Sequence, residues 1–444
     1  MTITEILNEG LKRRYALVLP AAELDARVDT KLAQAQPDIT LRGFRKGKVP
    51  MGLLKKQFGT GLLQEATQEA IKEAIQKHFE DSGVRSTGQP QVEMTNAEGW
   101  KAGDDVQAAF SYEALPDIPA VNLKSIALEK LVVAVDEAAI GDALGTLAQT
   151  MKEFTPRARA AAAELGNQVV LDFTGTIEGA PFEGGTAEDF PLELGSNRFI
   201  PGFEDQLLGA TAGETRAIPI TFPAHYPTKH LAGKEAVFSC KIKEVKEAVV
   251  PPIDEALAKK AGRESLADLK ALLRTRIGAE YAAAARSVMK RHLLDQLDSM
   301  ARFDLPPSMV EAEAQRVAQD LWRDENPNAE APSPDAIKPT AEHTALAERR
   351  VRLGLLLSHL GAQAKIEVSE AEMAQLLRRE AQKYPGEERQ FMEWAQKTPA
   401  IRDQLAAPVF EDKVVDYIFE LAQLSDKTAT KDELQRAIDT LDKD

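Results

Sequence analysis

The octapeptide Gly43-Phe44-Arg45-Lys46-Gly47-Lys48-Val49-Pro50 sets three cations and one aromatic ring around two glycines and a closing proline. From Ile39 to Gln64 the chain carries six basic residues (Arg42, Arg45, Lys46, Lys48, Lys55, Lys56) and no acidic one. The whole chain runs the other way, with 70 Asp+Glu against 55 Lys+Arg and a net charge of −15. Glycine opens backbone conformations closed to other residues, and proline fixes the direction in which the chain leaves. The pattern predicts a tight, exposed turn with Phe44 and Arg45 at its tip, suited to docking on a large polyanionic surface. An ordinary basic surface turn would carry the same charges.

Other chemistries find little support. Gly43-x-x-x-Gly47-Lys48-Val49 is one residue short of a P-loop and lacks the Ser or Thr that would hold magnesium. The six histidines are scattered, and His225 and His230, though near Cys240, lack metal-ligand spacing. No Gly-x-Ser-x-Gly elbow occurs, and Glu311 with Glu313 suits a solvated helix face. Neither a cofactor nor a metal is expected. A single cysteine rules out an intrachain disulfide and fits a reducing compartment. Residues 1–14 hold no apolar run of signal-peptide length, and no stretch reaches the roughly eighteen apolar residues of a membrane span. These features predict a cytoplasmic protein with no membrane partner.

A chain of 444 residues exceeds one core and suggests two to four domains. The fold class expected is α+β multidomain. Residues 1–113, nearly balanced in charge, read as one α+β unit: a strand over 15–19, a helix over 21–36 with Leu24, Val28 and Leu32 on one face, a longer helix over 61–81, and strands over 91–94 and 106–112. A proline-punctuated linker starts residues 114–150, followed by a strand over 131–135 and a helix over 136–154 with Asp136 as N-cap. Residues 151–247 alternate in β fashion and are rich in glycine, so a compact antiparallel domain is expected. From 248 to 444 the periodicity is helical: segments over 265–301, 308–324 with Ser308 as cap, 341–363, 369–383, 387–397 and 399–423, with a loop over 326–339 and a charged, frayed last twenty residues. The modest apolar stripes there suit either a closed bundle or a body that leaves scattered apolar contacts in solvent for many weak partners.

The octapeptide resembles the ribosome-docking signature Gly-Phe-Arg-x-Gly-x-x-Pro of the bacterial trigger factor family, with every fixed position met. A second resemblance, to the FKBP-type peptidyl-prolyl isomerases, rests on Asp172-Phe-Thr-Gly175, Pro181-Phe-Glu-Gly-Gly185, Leu194-Gly195, Ile200-Pro-Gly-Phe-Glu204 and Phe222-Pro-x-x-Tyr226. Leu305-Pro-Pro-x-x-Val310-x-x-Glu313 is similar to a recurrent piece of the trigger factor helical region.

These resemblances imply docking by Phe44 and Arg45 with Lys46 assisting, in a loop shaped by Gly43, Gly47 and Pro50. They imply a prolyl pocket lined by Phe173, Phe182, Phe190, Phe199, Ile200, Phe203, Tyr226 and Phe238. Small single-domain relatives often carry Trp where this chain has Phe203 and Tyr where it has Phe173, so fewer hydrogen-bond donors remain. Phe173 and Phe238 taken alone could equally be core residues of a small β domain, whereas Phe199, Ile200 and Phe203 beside Pro-Gly favour the pocket by the resemblance. The implied partners are the large ribosomal subunit, protein and RNA beside the exit tunnel, and nascent or unfolded polypeptides; a homodimer when free is compatible with them. The helical domain would be discontinuous, made of 114–150 and 248–444 around the isomerase. The rival is a free FKBP-type isomerase with a substrate-recruiting helical part and no ribosome dependence.

Overall fold

The computed structural model describes residues 1–41, 44–97, 100–101, 103–223, 226, 228, 231–327, 329, 332–333 and 336–441. Gly43, Arg42, His225 and His230 lie outside the described residues. The chain opens with β1 (Thr2–Glu9), β2 (Lys12–Leu19), α1 (Ala21–Ala35), α2 (Met51–Ser82), β3 (Gln91–Met94) and β4 (Val106–Glu113). Next come β5 (Ala127–Val133), α3 (Glu137–Thr150), β6 (Glu153–Pro156), β7 (Gln168–Ile177), β8 (Ala180–Glu193), β9 (Thr215–Thr221) and β10 (Glu235–Val249). The rest is α4 (Glu255–Lys260), α5 (Leu266–Met300), α6 (Pro307–Glu325), α7 (Ala341–Gln363), α8 (Glu370–Ala381), α9 (Glu388–Lys397), α10 (Pro399–Leu421), β11 (Gln423–Ala429) and α11 (Lys431–Leu441). Two compact units result, 1–128 with 290–424 and 129–289 with 425–444.

The first unit holds an antiparallel sheet in the order β1-β2-β4-β3. Leu17, Leu19, Val106, Ala108 and Phe110 of the sheet pack with Leu24 of α1 and Ala70, Ala74 and Ile75 of α2. A second small core joins Val28 and Leu32 of α1 to Val49, Leu54 and Ala66. That second core explains why α2 starts at Met51, ten residues before the expected position. It runs through Gly52, Gly59 and Gly61, each costing about 1 kcal/mol against alanine. Burial of Leu54 and Val49 against α1 outweighs that penalty. Helices α6 to α10 complete this unit. Gly361 of α7 leaves room for Phe410 and Val414 of α10, whose side-chain atoms would stand 2.3 and 2.8 Å from a Cβ there.

In the second unit, β6, β10, β7 and β8 form an antiparallel sheet in that order, with β9 also on β10. Its core is Val169, Leu171, Phe173, Phe203, Ile218, Phe238, Cys240 and Ile242 with their neighbours. Burial pushes the Cys240 thiol up to about 12, so this cysteine is a packing residue with no thiolate to offer. Asp136 caps α3 as expected, its carboxylate accepting from the Ala139 N–H at 2.8 Å.

Two expectations need correction. Ser308 is not a cap: α6 begins at Pro307, and the Ser308 N–H and hydroxyl both donate to Glu113, at 3.0 and 2.5 Å. Nor do residues 425–441 fray. β11 pairs with β5, and Leu434, Ala437, Ile438 and Leu441 of α11 pack with Leu131, Val133, Tyr281, Ala285 and Val288. Thr430 and Glu433 cap α11 reciprocally, a Thr-x-x-Glu start signal legible in the sequence.

Candidate functional site

Along β7 the alternation of the strand turns Val169, Leu171 and Phe173 inward. Gly175 lies opposite Phe238 and Phe173 opposite Cys240 across the β7–β10 ladder. Phe173, Phe203 and Phe238 are buried, Phe203 completely. Phe182, Phe190, Phe199, Ile200 and Tyr226 are partly buried and pack on the same core. Ring centroids lie 4.4 Å apart for Phe199–Phe203, 5.4 Å for Phe203–Phe238 and 5.8 Å for Phe173–Phe238. Phe190 sits 5.6 Å from Phe173 and 5.7 Å from Phe199. Most contacts are edge-on, the arrangement favoured by aromatic quadrupoles. All eight residues expected at the pocket therefore fall in one cluster, three buried and five partly buried.

Three further residues shape it. Buried Phe222 lies 5.9 Å from Phe182 and 4.8 Å from Tyr226, and so ties Tyr226 to the rest. A Cβ on Gly175 would come within 2.8 Å of both Phe182 and Phe238, and one on Gly185 within 2.9 Å of Phe182. The Phe182 ring thus lies in a slot between two glycines. The signal for all three was present, since they stand in the quoted motifs, but spacing alone does not say which glycine faces a ring.

Charged groups frame the cluster without entering it. Lys243 on β10 bridges Asp172 at 2.7 Å and Asp189 at 2.6 Å. Asp189 has φ +52 and donates its N–H to Asp172 at 2.8 Å, where the β7–β8 register slips just before Phe190. Lys243, then the Asp189 N–H, hold the Asp172 carboxyl below its usual range. Glu204, which follows Phe203, is buried and gathers donors from residues 195–199. Burial alone would raise its pKa, yet the N–H groups of Asn197, Gly195 and Phe199 and the Ser196 hydroxyl bring it below the usual value.

The basic loop is built differently. Lys48 donates its N–H to Arg45 O at 2.9 Å, closing a turn in which Gly47 has φ +76. A Cβ on Gly47 would also stand 3.2 Å from Pro37 O, so both backbone conformation and space call for glycine. The exit is pinned by fully buried Val49, whose carbonyl accepts from the Gln36 side chain at 2.7 Å, and Pro50 precedes α2. Phe44 is 40% exposed, and Arg45, Lys46 and Lys48 are exposed beside it. Two cations are partly occupied: Lys46 pairs with Asp38 at 3.4 Å, and Lys55 with Asp25 and Asp29. Among the described residues Arg45, Lys48 and Lys56 form no ion pair.

The helical segments leave apolar side chains in solvent. Trp394 is 56% exposed and Tyr384, stacked 5.3 Å from Phe391, is 45% exposed; Met300 and Leu321 are also exposed. Among the described residues no cluster of His, Cys, Asp or Glu suits a metal ion, and no helix is long and apolar enough to cross a membrane.

Comparison with known proteins finds three family models along the chain. Residues 1–147 match the family model for bacterial trigger factor protein and residues 265–420 the one for its C-terminus. Residues 159–245 match FKBP-type peptidyl-prolyl cis-trans isomerase. The chain is 58% identical over 442 residues to a trigger factor of Ruegeria pomeroyi, covering 100% of both chains. It is 54% identical over 444 residues to one of Roseobacter denitrificans, again covering both fully. A solved structure described as showing promiscuous substrate recognition in folding and assembly activities of the trigger factor chaperone superposes with a TM-score of 0.57 at 19% identity, covering 95% of this chain and 99% of that one. That last likeness speaks to fold alone.

Proposed function

The chain belongs to the trigger factor family, and from that premise we infer how its sequence divides the work. It is a ribosome-associated, ATP-independent chaperone with an FKBP-type peptidyl-prolyl isomerase domain. The carrying observation is likeness from end to end, docking and helical parts included, which a free isomerase would not require. We assign docking to 1–113, isomerisation to 151–247 and polypeptide binding to 114–150 with 248–444. We place the protein in the cytoplasm, partly on ribosomes.

Phe44 and Arg45, assisted by Lys46, meet protein and RNA beside the exit tunnel; Gly43, Gly47 and Pro50 shape the loop. Exposure of Phe44, Arg45 and Lys46 supports this assignment. Exposed apolar side chains such as Trp394 and Tyr384 then offer weak contacts to emerging polypeptide.

Isomerisation needs no proton transfer and no bond cleavage. Amide resonance sets a barrier of about 18–20 kcal/mol, and uncatalysed X-Pro exchange takes tens to hundreds of seconds. A dry aromatic surface that receives the proline ring favours the twisted amide, whose charge separation is reduced, over the planar one. Phe173, Phe203 and Phe238 supply the floor, and Phe182, Phe190, Phe199, Ile200 and Tyr226 the rim.

A photoreactive residue in place of Lys46 tests the docking partner. Crosslinks to large-subunit protein or RNA are expected. Crosslinks confined to unfolded client proteins would overturn the docking assignment.

A further inference from the structure

We propose that Glu204 is a positioning residue for prolyl isomerisation: its buried carboxylate fixes the Gly195–Phe199 loop and thereby the Phe199–Ile200 rim above Phe203. The inference rests on the aromatic cluster being the isomerase site. Glu204 Oε2 accepts the N–H groups of Gly195 at 2.7 Å and Asn197 at 3.2 Å. Oε1 accepts the Ser196 hydroxyl at 3.2 Å and the N–H groups of Arg198 at 3.1 Å and Phe199 at 3.3 Å. Five donors thus converge on one side chain that is 8% exposed.

Among the described residues no cation pairs with Glu204, so the buried charge is balanced by hydrogen-bond donors alone. The loop must curl to aim its N–H groups inward, and it does so through left-handed residues at both Gly195 (φ +89) and Asn197 (φ +54). Such a nest of N–H groups is an anion receptor, filled here by the protein's own carboxylate. Its last donor is the N–H of Phe199, whose ring packs at a tilt against Phe203 with centroids 4.4 Å apart. Glu204 is also covalently next to Phe203. One carboxylate therefore sets floor and rim relative to each other before substrate arrives, and preorganisation of that kind lowers the cost of reaching the transition state.

Glu204→Gln keeps the shape but replaces one acceptor oxygen by an NH₂ that faces N–H donors. In the full-length protein, kcat/KM for proline-limited refolding should fall by about ten- to a hundredfold, the range of a charged hydrogen bond. Amide exchange at residues 195–199 should quicken, while ribosome pelleting and the remaining amide spectrum stay as in wild type. Ser196→Ala, which removes a single neutral donor, should cost about two- to tenfold and serves as the deciding variant if Glu204→Gln fails to fold. Phe203→Ala is the control for the site itself. Wild-type refolding catalysis in Glu204→Gln, or in Ser196→Ala when the first is unfolded, overturns the proposal if Phe203→Ala is inactive. Wild-type catalysis in Phe203→Ala instead overturns the assignment of the site.

Discussion

The basic loop and the aromatic cluster place phenylalanine in opposite settings. Phe44 is 40% exposed on a turn held by a few backbone bonds, whereas Phe203 is fully buried among other rings. The loop has its cations in solvent, where attraction is screened beyond about 8 Å at physiological ionic strength. The cluster has one buried charge, Glu204, met by N–H donors, while the Lys243–Asp172–Asp189 bridge lies at the surface beside it. Recruitment should therefore respond to salt and tolerate changes in packing, while isomerisation should do the reverse.

The largest break between them is Phe203→Ala. Emptying a fully buried phenylalanine site costs about 3–5 kcal/mol, so the β unit should melt markedly earlier and proline-limited refolding catalysis should vanish. Ribosome pelleting by the same variant should be unchanged. A wild-type refolding rate would show the pocket to be misplaced.

A smaller, sharper change is Gly175→Ala, whose methyl would meet Phe182 and Phe238 at 2.8 Å. Overpacking of this kind costs about 1–3 kcal/mol. The expected signature is a lower melting temperature with Phe182 displaced and catalysis reduced; equal kcat/KM and stability would mean the slot is loose.

The smallest effect concerns acid. Lys243 lowers the folded pKa of Asp172, so the bridge stabilises the β unit above the ordinary aspartate value of about 4 and loses that contribution as pH falls through the lower folded value. Lys243→Met should melt below wild type at neutral pH, and the gap should narrow as the buffer is acidified. A constant gap would mean the bridge does not bear on stability.

How far the sequence was legible depended on whether a signal was local. The four-residue spacing of Leu24, Val28 and Leu32 located α1, and Asp136 marked the start of α3. The octapeptide and the Phe-Ile-Pro-Gly-Phe-Glu run marked both candidate regions, and the eight residues expected at the pocket lie in one hydrophobic cluster. What escaped depended on distant partners. β1 was not expected because most of its residues are exposed, although its two-residue Gly10-Leu11 link to β2 is a hairpin signal. Helix α2 begins early because Leu54 packs on α1, 22 residues away from Leu32 in sequence. The terminal helix is ordered by contacts with β5 and α5, over a hundred residues upstream. Glu204 carried a visible motif, but nothing in its spacing revealed that its carboxylate faces inward to five donors.

Ribosome pelleting across a salt series, run on wild type and on the protein with Phe44, Arg45 and Lys46 all replaced by alanine, tests the central claim most directly. Wild type should pellet at low salt and progressively release as salt rises, while the triple variant stays in the supernatant throughout with its refolding activity intact. Equal pelleting of the two proteins at every salt concentration would contradict the account.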